Sequence, residues 1–167
     1  YFHGGGKGVK KPILVWSACG ETARFAATAL HAHCLVKREQ LDIAMNWPQE
    51  AAQRRELALR LKLLKRAPLK IVASTRISWN YFTGFFDAEG CISVQPQQTS
   101  VRLEISQKDG NILNVLRHFL LKKLPVGSHV PRPYESTFKL VISSRSVVVI
   151  LREMLANGLL LKRPTAL

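Results

Sequence analysis

The spacing of apolar and polar positions divides the chain into a helical first part and a second part in which helices and strands interchange. Residues 1–11 show no periodicity, and Gly4, Gly5 and Gly6 favour a turn or arm. Pro12 to Trp16 (PILVW) is a short apolar run that reads as a buried strand. Helical spacing follows over Glu21–His33 and Val36–Met45, and Asn46-Trp47-Pro48 breaks it. Gln49–Lys65 predicts a further helix, with Leu57, Leu59, Leu61, Leu63 and Leu64 set among Arg and Lys, and Ala67-Pro68 ends it. Ile71–Thr75 reads as a connecting segment.

From residue 76 the pattern is denser. Trp79–Glu89 is an apolar helix closed by Gly90. Cys91–Gln97 and Val101–Gln107 alternate as two strands should. Asp109 is placed to N-cap a helix running to Lys122, with Ile112, Leu113, Leu116 and Leu120 on one face. Val126–Arg132 and Phe138–Ser143 read as two more strands joined by a turn containing Pro133, and Ser144–Ala156 as a last helix closed by Gly158. The expected fold class is α/β of the α+β kind, in the order α-β-β-α-β-β-α.

The two parts share a tail. Leu14-Val-Trp-Ser precedes a helix and then Leu35-Val-Lys37-Arg38, while Leu140-Val-Ile-Ser precedes a helix and then Leu160-Leu-Lys162-Arg163. The same spacing within about one residue suggests an internal repeat. On that reading residues 1–45 are the back end of a first repeat whose front is missing. Residues 46–75 are a bridge helix and linker, and 76–167 a second, nearly whole repeat. The bridge helix is expected to pack on the core with Arg and Lys outward rather than to lie on a membrane surface.

Charge narrows the class of partner. Lys and Arg number 25 against 11 acidic residues, for a net charge of +14, and such a field attracts polyanions. Nucleic acid is the first candidate and an anionic membrane surface the second. No apolar run approaches the ~18 residues of a membrane span. Cys19, Cys34 and Cys91 make no CxxC pair, which points to a reducing compartment. GGGKG lacks the spacing and the following Ser or Thr of a phosphate loop. His31 and His33, two apart on a helix, face different ways and do not suggest a metal site.

Residues 82–90 read FTGFFDAEG. This resembles the nine-residue signature of the LAGLIDADG homing endonucleases, and Leu103–Asp109 (LEISQKD) is similar to the family's second strand and next helix start. The resemblance covers residues 76–167 and, as a partial first copy, 1–45. It implies the family's fold, with an antiparallel saddle sheet. Physically, Gly84 and Ala88 lie one turn apart, and small residues at that spacing let two helix backbones approach closely. Phe82, Phe85 and Phe86 would surround that contact. Glu89 ends the helix, where the dipole disfavours an anion by ~0.3–1 kcal/mol, so a carboxylate beside its mate there calls for a cation.

The resemblance implies that Glu89 ligates divalent metal, Mg2+, for phosphodiester hydrolysis, that Gln107 orients the attacking water, and that Lys162 stabilises charge at the phosphate. Asp87 is expected instead to fix the helix-to-strand junction. Alternation groups Ser93, Gln95, Gln97 with Cys91, and Arg102, Glu104 with Ser106, as polar faces suited to a groove-reading ribbon, which His129, Arg132 and Lys139 would extend. The same alternation describes any solvated antiparallel face, and the charge of +14 favours binding.

The family's active site needs two acidic helices and this sequence shows one. An upstream segment completes it, or a second chain does, or the scaffold has lost catalysis and been kept for binding. The reading leans to the last: a non-catalytic binder of structured RNA, such as ribosomal RNA among ribosomal proteins of an organelle, mitochondrion before plastid. The alternative is a Mg2+-dependent, site-specific DNA endonuclease or intron maturase.

Overall fold

In a computed structural model, residues 15–67, 77–95, 100–124, 130–143 and 146–167 are described, and the chain divides into two units, Tyr1–Arg66 and Ala67–Leu167. Among the described residues the first holds three helices: α1 (Gly20–His31), α2 (Arg38–Met45) and α3 (Ala51–Leu64). Gly20 starts α1 in the left-handed region at φ +56°, where a side chain would be strained. Ala27 of α1 and Ile43 of α2 are its buried apolar residues among those described. His31 Nε2 stands 2.7 Å from Asp42 Oδ1, an ion-pair distance, without hydrogen-bond alignment. Arg60 donates to Glu39 at 2.8 Å, tying α3 to α2.

Two expectations for this part fail. Residues 12–14 of the anticipated buried strand lie outside the described residues, while Val15 and Trp16 form no strand and are exposed. The bridge helix α3 buries none of its residues, and Leu59 and Leu63 are exposed. Its leucines at 57, 59, 61, 63 and 64 are spread around the helix rather than gathered on one stripe, so no single face can bury them all.

The second unit follows the anticipated order through α4 (Trp79–Glu89), β1 (Gly90–Gln95), β2 (Ser100–Gln107), α5 (Gly110–Lys123), β3 (Arg132–Tyr134), β4 (Thr137–Ser143) and α6 (Ser146–Ala156), and adds a short helix α7 (Arg163–Ala166). Several of these boundaries have a local cause. Ser78 accepts the Tyr81 N–H at the head of α4, and Asp109 accepts the Asn111 N–H at 2.8 Å at the head of α5. Gly158, at φ +86°, lets the chain turn away after α6. Gly90 turns α4 directly into β1, and a Cβ there would stand 2.6 Å from the Phe86 carbonyl oxygen.

The strands form one antiparallel sheet in the order β1-β2-β4-β3. Leu103 and Ile105 of β2 and Leu140 and Ile142 of β4 are fully buried. They meet Phe82 and Phe86 of α4, Leu113 and Leu116 of α5 and Ile150 of α6 in the core. Burying each such side chain stabilises by about 1.5–3 kcal/mol. Helices therefore cover one sheet face, and the alternate residues line the other. Val94 departs from the expected inward pattern: it shares the helix side with Leu103 but is exposed near the end of β1.

The third strand also differs from expectation. Residues 126–129 lie outside the described residues, and the observed strand is Arg132–Tyr134 with Pro133 inside it. Pro133 was expected in the turn, which Glu135 and Ser136 make instead, Glu135 at φ +51°. A proline is tolerated because β3 is an edge strand, where one missing N–H leaves no interior ladder bond unmade.

Candidate nucleic-acid interface

Strand register determines which side chains share the uncovered face, because directly opposed residues project to the same side. Cys91 opposes Glu104 and Ser93 opposes Arg102. Arg102 in turn opposes Ser143, Glu104 opposes Val141 and Ser106 opposes Lys139. Lys139 finally opposes Arg132 of β3. Ser93, Arg102, Glu104, Ser106, Arg132 and Lys139 thus lie on one surface. The backbone of Gln95 pairs with Ser100. Gln97 and His129 lie outside the described residues.

The charges on this surface are organised. Lys139 Nζ lies 3.1 Å from Glu104 Oε2, and Arg102 Nη1 lies 3.6 Å from Glu104 Oε1. One carboxylate therefore orders two cations from neighbouring strands while all three side chains remain partly exposed. Lys139 Nζ also stands 4.2 Å from the centroid of the Tyr134 ring. Arg132, exposed on the edge strand, adds a third cation. Two positive charges around one acceptor leave a net positive surface, and the cations are held at fixed positions before any ligand arrives.

A second group gathers at the end of α4. Glu89 is exposed there. Gly90 opposes Ile105, so Gln107, two residues further along β2, lies at the same end of the sheet. Lys162 joins them from the far end of the chain, its amino group donating to the Asp87 carbonyl.

Asp87 accounts for this convergence. It is buried, and its Oδ2 accepts the N–H groups of Leu160 and Leu161 at 2.9 Å. Its Oδ1 accepts the N–H of Lys162, also at 2.9 Å. Burial pushes the Asp87 pKa up, but the three backbone donors and the Lys162 charge outweigh it and hold the carboxyl below its usual range. The expectation that Asp87 fixes the junction between helix and strand is corrected: it joins α4 to the segment that leads into α7. That partner lies more than 70 residues away and leaves no local signal in the sequence.

On α4, Gly84 and Ala88 are exposed, and a Cβ on Gly84 would meet nothing within 4 Å. Phe85 is partly exposed beside them, whereas Phe82 and Phe86 turn fully into the unit's own core rather than toward a second helix. Among the described residues no group of three or more His, Cys, Asp or Glu side chains could hold a metal ion. At the end of α4 only Glu89 offers a free carboxylate, since both oxygens of Asp87 are committed to backbone donors. Mg2+ prefers an octahedral oxygen shell; the described residues supply one ligand of it.

Tyr134, Val141 and Ser143 belong to the open face and were not singled out in the sequence. Val141 and Ser143 follow from the alternation of β4 once Lys139 is placed on that face. No alternation identifies Tyr134, because its strand is only three residues long.

Residues 78–155 match the family model described as a LAGLIDADG-like domain. Among solved structures, the chain is similar to the homing endonuclease I-CvuI, in a crystal structure with the I-CreI target in the presence of 2 mM Mg that reveals DNA not cleaved. The identity is 23% and the TM-score 0.43, over 53% of this chain and 60% of that one. The match thus spans less than two thirds of the endonuclease. No curated protein matches the chain. No helix among the described residues is long and apolar enough to cross a membrane.

Proposed function

We propose that this chain, whose residues 78–155 are a LAGLIDADG-like domain, binds structured RNA on the open face of its four-stranded sheet and does not cut it. The observation that carries the reading is the Arg102–Glu104–Lys139 cluster. Free arginine and glutamate side chains read base edges in a groove. Here the glutamate is already occupied by two cations, and what the face presents outward is positive charge at set positions. Such a surface suits phosphates and the shape of a folded RNA more than base sequence. The net charge of +14 supports the same partner. Ribosomal RNA in an organelle, mitochondrion before plastid, is the ligand we favour. The likeness of the tails supports taking residues 1–45 as a reduced first repeat and 46–75 as a bridge: Lys37 stands at the N-cap of α2 as Lys162 does at that of α7.

The experiment is a salt titration of binding to ribosomal RNA, with duplex DNA as competitor. Lys139→Ala and Arg132→Ala are each expected to weaken RNA binding and to lower the slope of log K against log salt by about one. Binding that is independent of salt, or indifferent to both substitutions, overturns the reading. Preference for duplex DNA overturns its RNA part.

One observation favours a second reading. Glu89, Gln107 and Lys162 lie at the same end of the unit. A further carboxylate from another segment or chain would complete a donor set for Mg2+, which would supply charge neutralisation at a phosphodiester. Glu89 would then be a ligand, Gln107 would orient water and Lys162 would face the phosphate, as in a site-specific DNA endonuclease.

A further inference from the structure

A cavity of about 430 Å3 opens on the uncovered sheet face toward the edge strand. Its lining combines two chemistries. Arg102, Arg132 and Lys139 bring cations, whereas Pro133, Val141 and Tyr134 bring apolar and aromatic surface. Tyr134 is 53% exposed. The ammonium of Lys139 lies 4.2 Å from its ring centroid and 3.1 Å from Glu104, which fixes the lysine between a carboxylate and a ring. The ring is thereby held in place although much of it faces solvent.

Cations alone would describe a phosphate track, and an aromatic ring alone a chance exposure. Together in a concavity they match a nucleotide, which has a flat π-face at one end and an anion at the other. The volume falls at the lower end of the roughly 300–1,000 Å3 typical of ligand pockets. It suits one unstacked nucleotide better than a base pair, whose rings are hidden in the stack. We infer that this cavity receives a single unpaired nucleotide of a bound RNA, its base against Tyr134 and the wall of Pro133 and Val141, its phosphate among Arg102 and Arg132. The inference rests on the open face being an RNA-binding surface. It adds a preference: loops and bulges should bind more tightly than continuous duplex.

The test uses the full chain and two RNA probes, a hairpin with an unpaired loop carrying 2-aminopurine and the same stem extended as a continuous duplex. Wild type is expected to bind the hairpin more tightly, with a change in 2-aminopurine fluorescence. Tyr134→Ala is expected to lose about 5- to 150-fold on the hairpin, to abolish that change and to leave duplex binding as it was. Tyr134→Phe, which retains the ring, should behave as wild type. Equal binding of the two probes by wild type, or an equal loss on both in Tyr134→Ala, overturns the nucleotide pocket while leaving the RNA-binding reading intact. Failure of wild type to bind either probe overturns both. Tyr134 lies outside the core, and circular dichroism of each variant confirms that the comparison is between folded proteins.

Discussion

Replacing Asp87 by Asn probes the tie between α4 and the chain's C-terminal segment. The substitution preserves the side chain's shape, removes its charge and puts an amide NH2 where one backbone N–H had an acceptor. The native carboxylate accepts three backbone N–H bonds at 2.9 Å. Hydrogen bonds to a charged group contribute about 1.5–3 kcal/mol, and neutral ones about 0.5–1.5 kcal/mol. Weakening two bonds by about 1–1.5 kcal/mol each and losing the third should together cost about 5 kcal/mol. For a unit spanning Ala67–Leu167, that corresponds to a fall in Tm of roughly 20–40 °C. The assay is urea unfolding at neutral pH, together with a thermal melt followed by circular dichroism. A loss below about 1 kcal/mol would refute the argument, because the three bonds would then contribute no more than one ordinary bond does.

The pH dependence offers an independent check. The folded-state pKa of Asp87 is lowered from the usual 3.8, so the folded state holds this proton less readily than the unfolded chain. Its stabilisation is complete above the unfolded value and is lost as pH falls through the lower folded one. The gap in stability between wild type and Asp87→Asn should therefore be constant near neutrality and narrow below about pH 4. A gap that widened with acid would contradict the assignment.

Gly84→Ala should raise the stability of the chain by about 0.5–1 kcal/mol, since a Cβ there meets nothing within 4 Å; a fall in Tm would mean that another helix covers this face. Glu89→Gln should leave RNA affinity unchanged, because Glu89 lies at the end of α4 and outside the row of cations on the sheet. Mg2+-dependent cutting of a DNA duplex by wild type, abolished in Glu89→Gln, would establish the nuclease reading instead.

The second unit was largely legible because its signals are local. Asp109 caps its own helix, the strand residues alternate, and Gly90 stands where a Cβ would collide with Phe86. What escaped depends on distant partners. The hold of Asp87 on Leu160–Lys162 spans more than 70 residues. The Arg102–Glu104–Lys139 cluster depends on the register between β2 and β4. Pro133 suggested a turn because proline is unwelcome in most strands; only the strand order reveals that it occupies an edge. In the first unit, Leu-rich composition suggested a packed helix, but composition does not say whether the leucines share a face, and Leu59 and Leu63 remain exposed.

The two borders of the sheet differ in their capacity to recruit another strand. β3 is three residues long with proline at its centre, so it offers a poor template for backbone pairing with a neighbouring molecule. β1, at the opposite border, runs six residues from Gly90 to Gln95 without a proline. Sheet extension between molecules, whether as orderly strand addition or as the first step of aggregation on partial unfolding, is thereby directed to β1. A charged or proline substitution along the outward backbone of β1 is the rational way to improve the solubility of this protein without touching its basic face.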